Sequence, residues 1–276
     1  MRRLLLAAAS TLLWTGLWAQ TPKNDRSEDL KVRLSGEVEY KIAKGQHVFV
    51  ELELTEGTDL YSKGDGKLTF GYTNKILPNL RLGAGYVLLT HRHSHTTYSS
   101  PRHRIFVEAT PSWKLDRWKF SLRERFQATC RTGDMNTYQA PRVAVDMRTR
   151  LKVEYSFTKR LSAFAFAEPK WTLNRPRLRD YRYDSEIMRY VTPAGDVEGE
   201  PGWFMDGYRD MYITRTRVGG GFDKTFKKGR ILTVYFQSDF RRSLKIDANS
   251  EGTKLKSLVW DRSIYLTPGI KFTRSF

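Results

Sequence analysis

From Arg142 to Tyr155 the chain alternates between two kinds of surface. Val143, Val145, Met147, Leu151, Val153 and Tyr155 fall on one side, with Thr149. Arg142, Asp146, Arg148, Arg150, Lys152 and Glu154 fall on the other, with Ala144. A period of two is the signature of a β-strand. A strand this long, with one face this charged, is unusual in a soluble sandwich. A lipid-facing side opposite a wet, charged interior accounts for both halves.

The theme repeats along the chain. Val48, Val50, Leu52 and Leu54 alternate with Glu51 and Glu53; Leu68, Phe70 and Tyr72 with Thr69 and Gly71; Leu80, Leu82, Ala84, Tyr86 and Leu88 with Arg81, Gly83 and Gly85. Ile105, Val107, Ala109 and Trp113 face away from Arg104, Glu108 and Thr110. Trp118, Phe120, Leu122, Phe126 and Ala128 oppose Lys119, Arg123, Arg125 and Gln127, and Glu124 breaks that apolar face. Leu232, Val234, Phe236 and Phe240 oppose Thr233, Gln237, Asp239 and Arg241. Leu161–Leu173 and Tyr212–Phe222 are strands with less tidy faces. Counted back from Phe276, every second residue to Ile264 is apolar except Arg274. A terminal aromatic on such a strand is similar to the closing strand of bacterial outer-membrane barrels, where it serves as an assembly signal.

No later run reaches the roughly 20 apolar residues a transmembrane helix needs. A mean hydropathy of −0.56 fits a barrel, because only alternate residues face lipid. An aromatic content of 13% suits a barrel with girdles at both interfaces. The first 19 residues read as a secretory signal peptide: Arg2 and Arg3, then an apolar run from Leu4 to Trp18, with no acid. Cleavage after Ala19 would leave a large Leu17 at the −3 position. A short segment, 20–30, then leads into an outer-membrane barrel over 31–276. Cys130 is the single cysteine, so no internal disulfide can form.

Connection lengths give the topology. The turns at Ala43–Gln46, Leu115–Arg117, Thr158–Arg160 and Lys227–Gly229 are short, and the stretches His91–His103, Thr132–Ala140, Asn174–Asp210 and Ile246–Lys256 are long. Short turns on the periplasmic side and long loops outside are the rule for such barrels. The expected fold is an all-β, antiparallel, up-and-down transmembrane barrel of 10–12 strands. Eleven candidates can be counted, but single-chain bacterial barrels have even numbers. Either Lys31–Ile42 is not a full wall strand, giving ten, or one strand is hidden, giving twelve. Twelve is slightly preferred.

The chain resembles an uncharacterised family of Gram-negative outer-membrane β-barrels, known only as a domain of unknown function. The resemblance runs from about Leu30 to Phe276. It is carried by Leu80-Arg81-Leu82-Gly83-Ala84-Gly85-Tyr86, His103-Arg104-Ile105-Phe106, Ser121–Gln127, Ala167-Glu168-Pro169 and Arg217-Val218-Gly219-Gly220-Gly221-Phe222. It implies fold and location, and no activity.

Net charge is +18, or +16 once residues 1–19, with Arg2 and Arg3, are removed. The pI of about 10.0 would suggest nucleic acid in a cytoplasmic protein, but an exported barrel argues against that partner. The expected partners are outer-membrane lipid, lipopolysaccharide and the barrel assembly machinery. Lumen candidates are Arg123, Arg125, Asp146, Arg148, Arg150, Lys152, Glu168, Arg215 and Arg217. Rings of Arg and Lys favour anions, but a narrow lumen with both signs of charge should pair them and plug itself.

His91, His93 and His95 share one face of an extended strand and form a weak metal candidate. An exposed polar loop is the simpler reading, and no cofactor is expected. Ser94 follows His93 directly, so the His-to-Ser spacing of two used by outer-membrane phospholipase barrels is missing. Asp134, Asp180, Asp184, Glu186 and Asp206 lie in loops without a pattern that selects a pair. The expected role is envelope structure or passage of a small solute, which the basic lumen suggests is anionic. A barrel enzyme acting on lipid or lipopolysaccharide is the alternative, and a surface receptor a third class.

Overall fold

The computed structural model describes residues 26–57, 64–92, 100–180, 182–184, 189–192, 195–197, 203–205, 207–248 and 255–276. Residues 1–19, read as a signal peptide, lie outside them. The strands are β1 (Arg26–Ala43), β2 (Gln46–Gly57), β3 (Gly64–Leu77), β4 (Leu80–Arg92), β5 (Arg102–Leu115), β6 (Trp118–Arg131), β7 (Val143–Ser156) and β8 (Leu161–Arg175). Five short strands follow: β9 (Leu178–Asp180), β10 (Arg182–Asp184), β11 (Arg189–Thr192), β12 (Gly195–Val197) and β13 (Trp203–Met205). The chain ends in β14 (Asp210–Phe226), β15 (Arg230–Ala248) and β16 (Leu255–Ser275). No described residue is helical.

Among the described residues, eleven strands close into one barrel, β1 to β8 and β14 to β16. The short strands form two separate small sheets within the long β8–β14 connection. Every barrel strand is antiparallel to its neighbours except at the seam, where β1 runs parallel to β16. Eleven lies inside the expected range of ten to twelve, but it is not the even number preferred. Lys31–Ile42 is a full wall strand, contrary to the ten-strand option, and among the described residues no twelfth strand joins the wall. Geometry resolves the parity: adjacent strands alternate in direction, so an odd number can close only by placing one parallel pair. Parallel pairing is slightly weaker per residue. The seam is reinforced at the chain end, where Phe276 N donates to Glu39 O at 3.0 Å and Lys41 N donates to Phe276 O at 3.2 Å.

The connections at 44–45, 78–79, 116–117, 157–160 and 227–229 all lie at the end of the barrel that holds Phe276. Local conformation suits these tight turns. Gly45 has φ 80°, and Asp116 and Lys228 take the left-handed region at φ 51° and 60°. The longer connections, including 176–209, lie at the other end.

The usual partition of a folded protein is inverted here. The buried apolar residues are Val87, Phe106, Ala140 and Ile246, among the described residues, whereas the buried polar set includes Arg33, Asp146, Arg148, Glu168, Thr172, Gln237 and Asp239. Large apolar side chains point outward from strand after strand: Leu34, Leu52, Phe70, Ile105, Val107, Phe126, Leu151, Phe222, Phe236 and Ile270 are all exposed. Soluble monomers rarely expose contiguous apolar patches beyond a few hundred Å². Small inner residues make room for the large ones. A Cβ on Gly85 would stand 2.6 Å from the Phe106 ring, so the glycine lets that ring lie against the wall. Glu124 does point outward, and there its carboxylate accepts a hydrogen bond from Thr149 Oγ1 at 2.9 Å on the adjacent strand. The untidy faces of two strands have local causes. The outer face of β8 is built from Ala163, Ala165, Ala167 and Pro169, and β14 carries register shifts at Asp210/Tyr212 and Ile213/Arg215.

The seam register is directly testable. Leu34 pairs with Ile270. In a Cys130→Ser background, Leu34→Cys with Ile270→Cys should form a disulfide on mild oxidation, because parallel neighbours about 4.8 Å apart fall within the Cα range a disulfide accepts. Val32→Cys with Ile270→Cys, two residues out of register, should not. A reversed pattern, read by mobility on a denaturing gel, would contradict the parallel closure.

Candidate functional site

The chemistry-bearing side chains meet inside the barrel. Alternation sends every second residue of a strand to the same side, and the register then decides which of them face one another. On β6 and β7 the pairs Arg123↔Arg150, Arg125↔Arg148 and Gln127↔Asp146 share the inner face. On β14, Arg217 sits between Glu168 of β8 and Asp239 of β15.

Glu168 is the centre of this arrangement, with only 1% of its surface exposed. Its Oε2 accepts from Arg123 Nη2 at 2.7 Å and from Arg150 Nε at 2.6 Å. Its Oε1 accepts from Arg217 Nη1 at 3.4 Å. Asp239, equally buried, faces Arg217 Nε at 3.5 Å, Arg215 Nε at 3.5 Å and Arg241 Nη2 at 3.3 Å. Glu108 receives Arg125 through Nε at 2.8 Å and Nη2 at 2.5 Å. The far wall continues the network. Arg33 Nε lies 3.6 Å from Glu53, and Lys67 Nζ lies 3.3 Å from Glu53 and 3.6 Å from Glu51. Arg217 also feels the charges of Arg33 on β1 and Glu53 on β2, three and four strands round the barrel. Towards the short-turn end, Lys271 Nζ contacts Glu37 at 2.7 Å and Glu51 at 2.8 Å, and Lys152 Nζ lies 3.4 Å from Glu154 and 3.5 Å from Asp223.

All nine charged positions singled out from the sequence therefore lie in this inner set: Arg123, Arg125, Asp146, Arg148, Arg150, Lys152, Glu168, Arg215 and Arg217. Sequence reasoning did not pick out Arg33, Lys67, Arg104, Lys170, Arg241 or Lys271. Alternation does put Arg104 and Arg241 on the charged faces of their strands, and Lys170 has the same parity as Glu168 two residues earlier; the register decides which of these side chains meet.

Buried charges carry a large desolvation cost, which opposite charges offset only with good geometry and satisfied hydrogen bonds. Shared carboxylates supply that geometry here, since each bonds guanidinia from several strands. Rings add to it: Arg125 lies 4.1 Å from the Phe106 ring centroid, and Lys152 4.3 Å from that of Phe164. The layer joins strands laterally across the inner face.

Among the described residues, the other sequence candidates do not form a cluster. His93, Ser94 and His95 lie outside the described residues, as do Glu186 and Asp206 and the side chains of Asp180 and Asp184. His91 is described, and its Nδ1 meets the Asp65 carboxylate on the inner side of the wall. His103 points to the outer side, where its Nδ1 bonds the Tyr86 hydroxyl at 2.6 Å. Among the described residues, no three His, Cys, Asp or Glu side chains are placed to hold a metal ion.

Residues 13–187 match the model of a family described as protein of unknown function (DUF2490), and the chain belongs to that family. The match begins ahead of Leu30, where the sequence resemblance was placed, and stops inside the β8–β14 connection. No curated protein matches the chain.

The ion-pair layer makes a quantitative expectation. Glu168→Gln leaves three guanidinia around a neutral amide, and breaking a buried ion pair in this way costs about 3–5 kcal/mol. Lys245→Ala removes a pair with Asp261 whose lysine side chain is 69% exposed, and should change stability by about 0–1 kcal/mol. Urea unfolding of the detergent-folded protein, read by gel mobility with and without heating, separates the two. Equal midpoints for both variants would contradict the central role of Glu168.

Proposed function

We propose that the protein is an outer-membrane β-barrel with a closed lumen, contributing to envelope structure rather than acting as an open pore. The observation that carries the reading is Glu168, 1% exposed and holding Arg123, Arg150 and Arg217 at 2.7, 2.6 and 3.4 Å. A hydrated channel would leave such a carboxylate in water.

Membrane placement is supported by the outward apolar belt and by aromatic groups near both ends of the barrel, as girdles require. Near the short-turn end, Trp118 lies 4.8 Å from Tyr155, and Tyr155 5.1 Å from Phe157, between ring centroids. Towards the other end, Tyr212 and Trp260 lie 5.0 Å apart, and the Arg242 guanidinium covers the Trp260 ring at 3.9 Å. Arginine beside aromatic rings at that rim suits lipid phosphates, and with them lipopolysaccharide. Phe276 is proposed as part of a signal read by the barrel assembly machinery. Its ring points outward, 58% exposed, and its backbone is bonded to β1. The segment 1–19 fits this reading as an export signal. No constellation of described side chains favours the alternative of a lipid- or lipopolysaccharide-modifying enzyme.

Single-channel recording in a planar bilayer tests the closed lumen. The wild-type protein should give no large, steady current. Such currents from a fully heat-modifiable preparation would contradict the proposal.

A further inference from the structure

Five cations stand directly opposite one another on five successive strands. Arg125 of β6 pairs with Arg148 of β7, Arg148 with Lys170 of β8, Lys170 with Arg215 of β14, and Arg215 with Arg241 of β15. All lie on the inner face, one row nearer the long-loop end than Glu168. Like charges directly opposite one another are destabilising. The row persists in a chain that, one step away, alternates its charges closely.

Four members of the row share three carboxylates, two of which also serve other donors. Arg125 is held by Glu108. Lys170 Nζ has Asp146 at 3.0 Å, but that carboxylate also accepts from Thr172 Oγ1 at 2.7 Å and Gln127 Nε2 at 3.0 Å. Arg215 and Arg241 share Asp239 with Arg217. Arg148, at the middle of the row, has no carboxylate within ion-pairing distance among the described residues. It is 9% exposed and its Nε is buried without a hydrogen-bond acceptor; Arg215 and Arg104 crowd it, while Glu168 and Asp146 act on it only from beyond ion-pairing distance. Arg104 Nε in turn meets the Thr129 hydroxyl at 2.9 Å, and the acid that acts on it, Asp146, is already engaged by Lys170, Thr172 and Gln127. A buried guanidinium surrounded by other cations is costly unless an anion joins it.

We propose that Arg148, Lys170 and Arg215, with Arg104 and Arg241, form a binding site for a small multivalent oxyanion of the phosphate or polyphosphate class. Planar guanidinium forks match phosphate oxygens bidentately, and a lysine adds a compact charge. Neighbouring strands stand about 4.8 Å apart, so adjacent cations of the row can meet successive oxyanion groups of one ligand. The Arg241 side chain at the end of the row is 36% exposed and gives a solute its first contact. The inference takes from the proposed function that the lumen is closed at Glu168, so the anion is held and not conducted. The row faces the lumen and not the apolar belt, so the ligand is a free solute rather than a lipopolysaccharide phosphate.

Calorimetric titration of the full chain, folded in detergent at low ionic strength, with inorganic pyrophosphate tests the site. Saturable binding is expected, weakened roughly tenfold by Arg148→Gln and by Lys170→Gln, as loss of a charge-assisted hydrogen bond implies. Lys152→Gln, at the opposite end of the lumen, should bind as wild type. Excess lipopolysaccharide should not compete; competition would overturn the free-solute assignment. A second readout separates binding from packing. Without pyrophosphate, Arg148→Gln should raise the urea midpoint, because it removes an uncompensated buried charge. With pyrophosphate, the wild type should gain stability and the variant should not. Absence of saturable binding, or equal binding by Arg148→Gln, overturns the site. Conductance on the same preparation keeps the two ideas apart: an open lumen that still binds pyrophosphate refutes only the closure, and a closed lumen that does not bind it refutes only the site.

Discussion

A single carboxylate surrounded by three guanidinia sets the terms for the rest of this barrel. Sheet hydrogen bonds join each strand only to its neighbours. Glu168 gathers Arg123, Arg150 and Arg217 from β6, β7 and β14, and Arg217 passes the connection on to Asp239 of β15. Net energy from such a layer is modest, since desolvation opposes the Coulomb gain. Its larger effect is on specificity. A strand slipped by one residue would send its charged set into the apolar belt and its apolar set into the lumen. Register, closure and lumen chemistry are therefore held together.

The same constraint explains how an odd number of strands is tolerated. The parallel seam forgoes some of the ladder energy of an antiparallel pair. Cross-seam side chains supplement it: Lys271 of β16 bonds Glu37 of β1 and Glu51 of β2 across the closure, and Ser275 Oγ donates to Glu39 at 2.9 Å. The charged interior thus contributes to closing the wall as well as filling it.

Strand identity and face were legible from alternation alone, because a period of two with one charged side has few other solutions. Val143, Val145 and Leu151 outward and Arg148, Arg150 and Lys152 inward follow from parity. The strand count was legible too, but the even-number rule argued it away from eleven, since no local feature of Lys31–Ile42 announces a parallel partner more than 200 residues later. Glu124 looked like an error in an apolar face until the register brought Thr149 beside it. The cationic row was illegible for the same reason. Arg148, Lys170 and Arg215 sit on three strands, and their juxtaposition depends on pairings that separate sequence windows do not encode. Where a site is made of cross-strand neighbours, parity gives its candidates and only register gives its shape.

The central claim is that one face of each strand meets lipid while the other meets a charged, closed interior. Spin labels placed singly along 143–153 of β7, in a Cys130→Ser protein reconstituted in lipid vesicles, test it most directly. Collision with dissolved oxygen should rise at 143, 145, 147, 149, 151 and 153 and fall at 144, 146, 148, 150 and 152, with a water-soluble nickel complex excluded from the outward set. A scan without a two-residue period, or outward positions open to the nickel complex, would contradict the account.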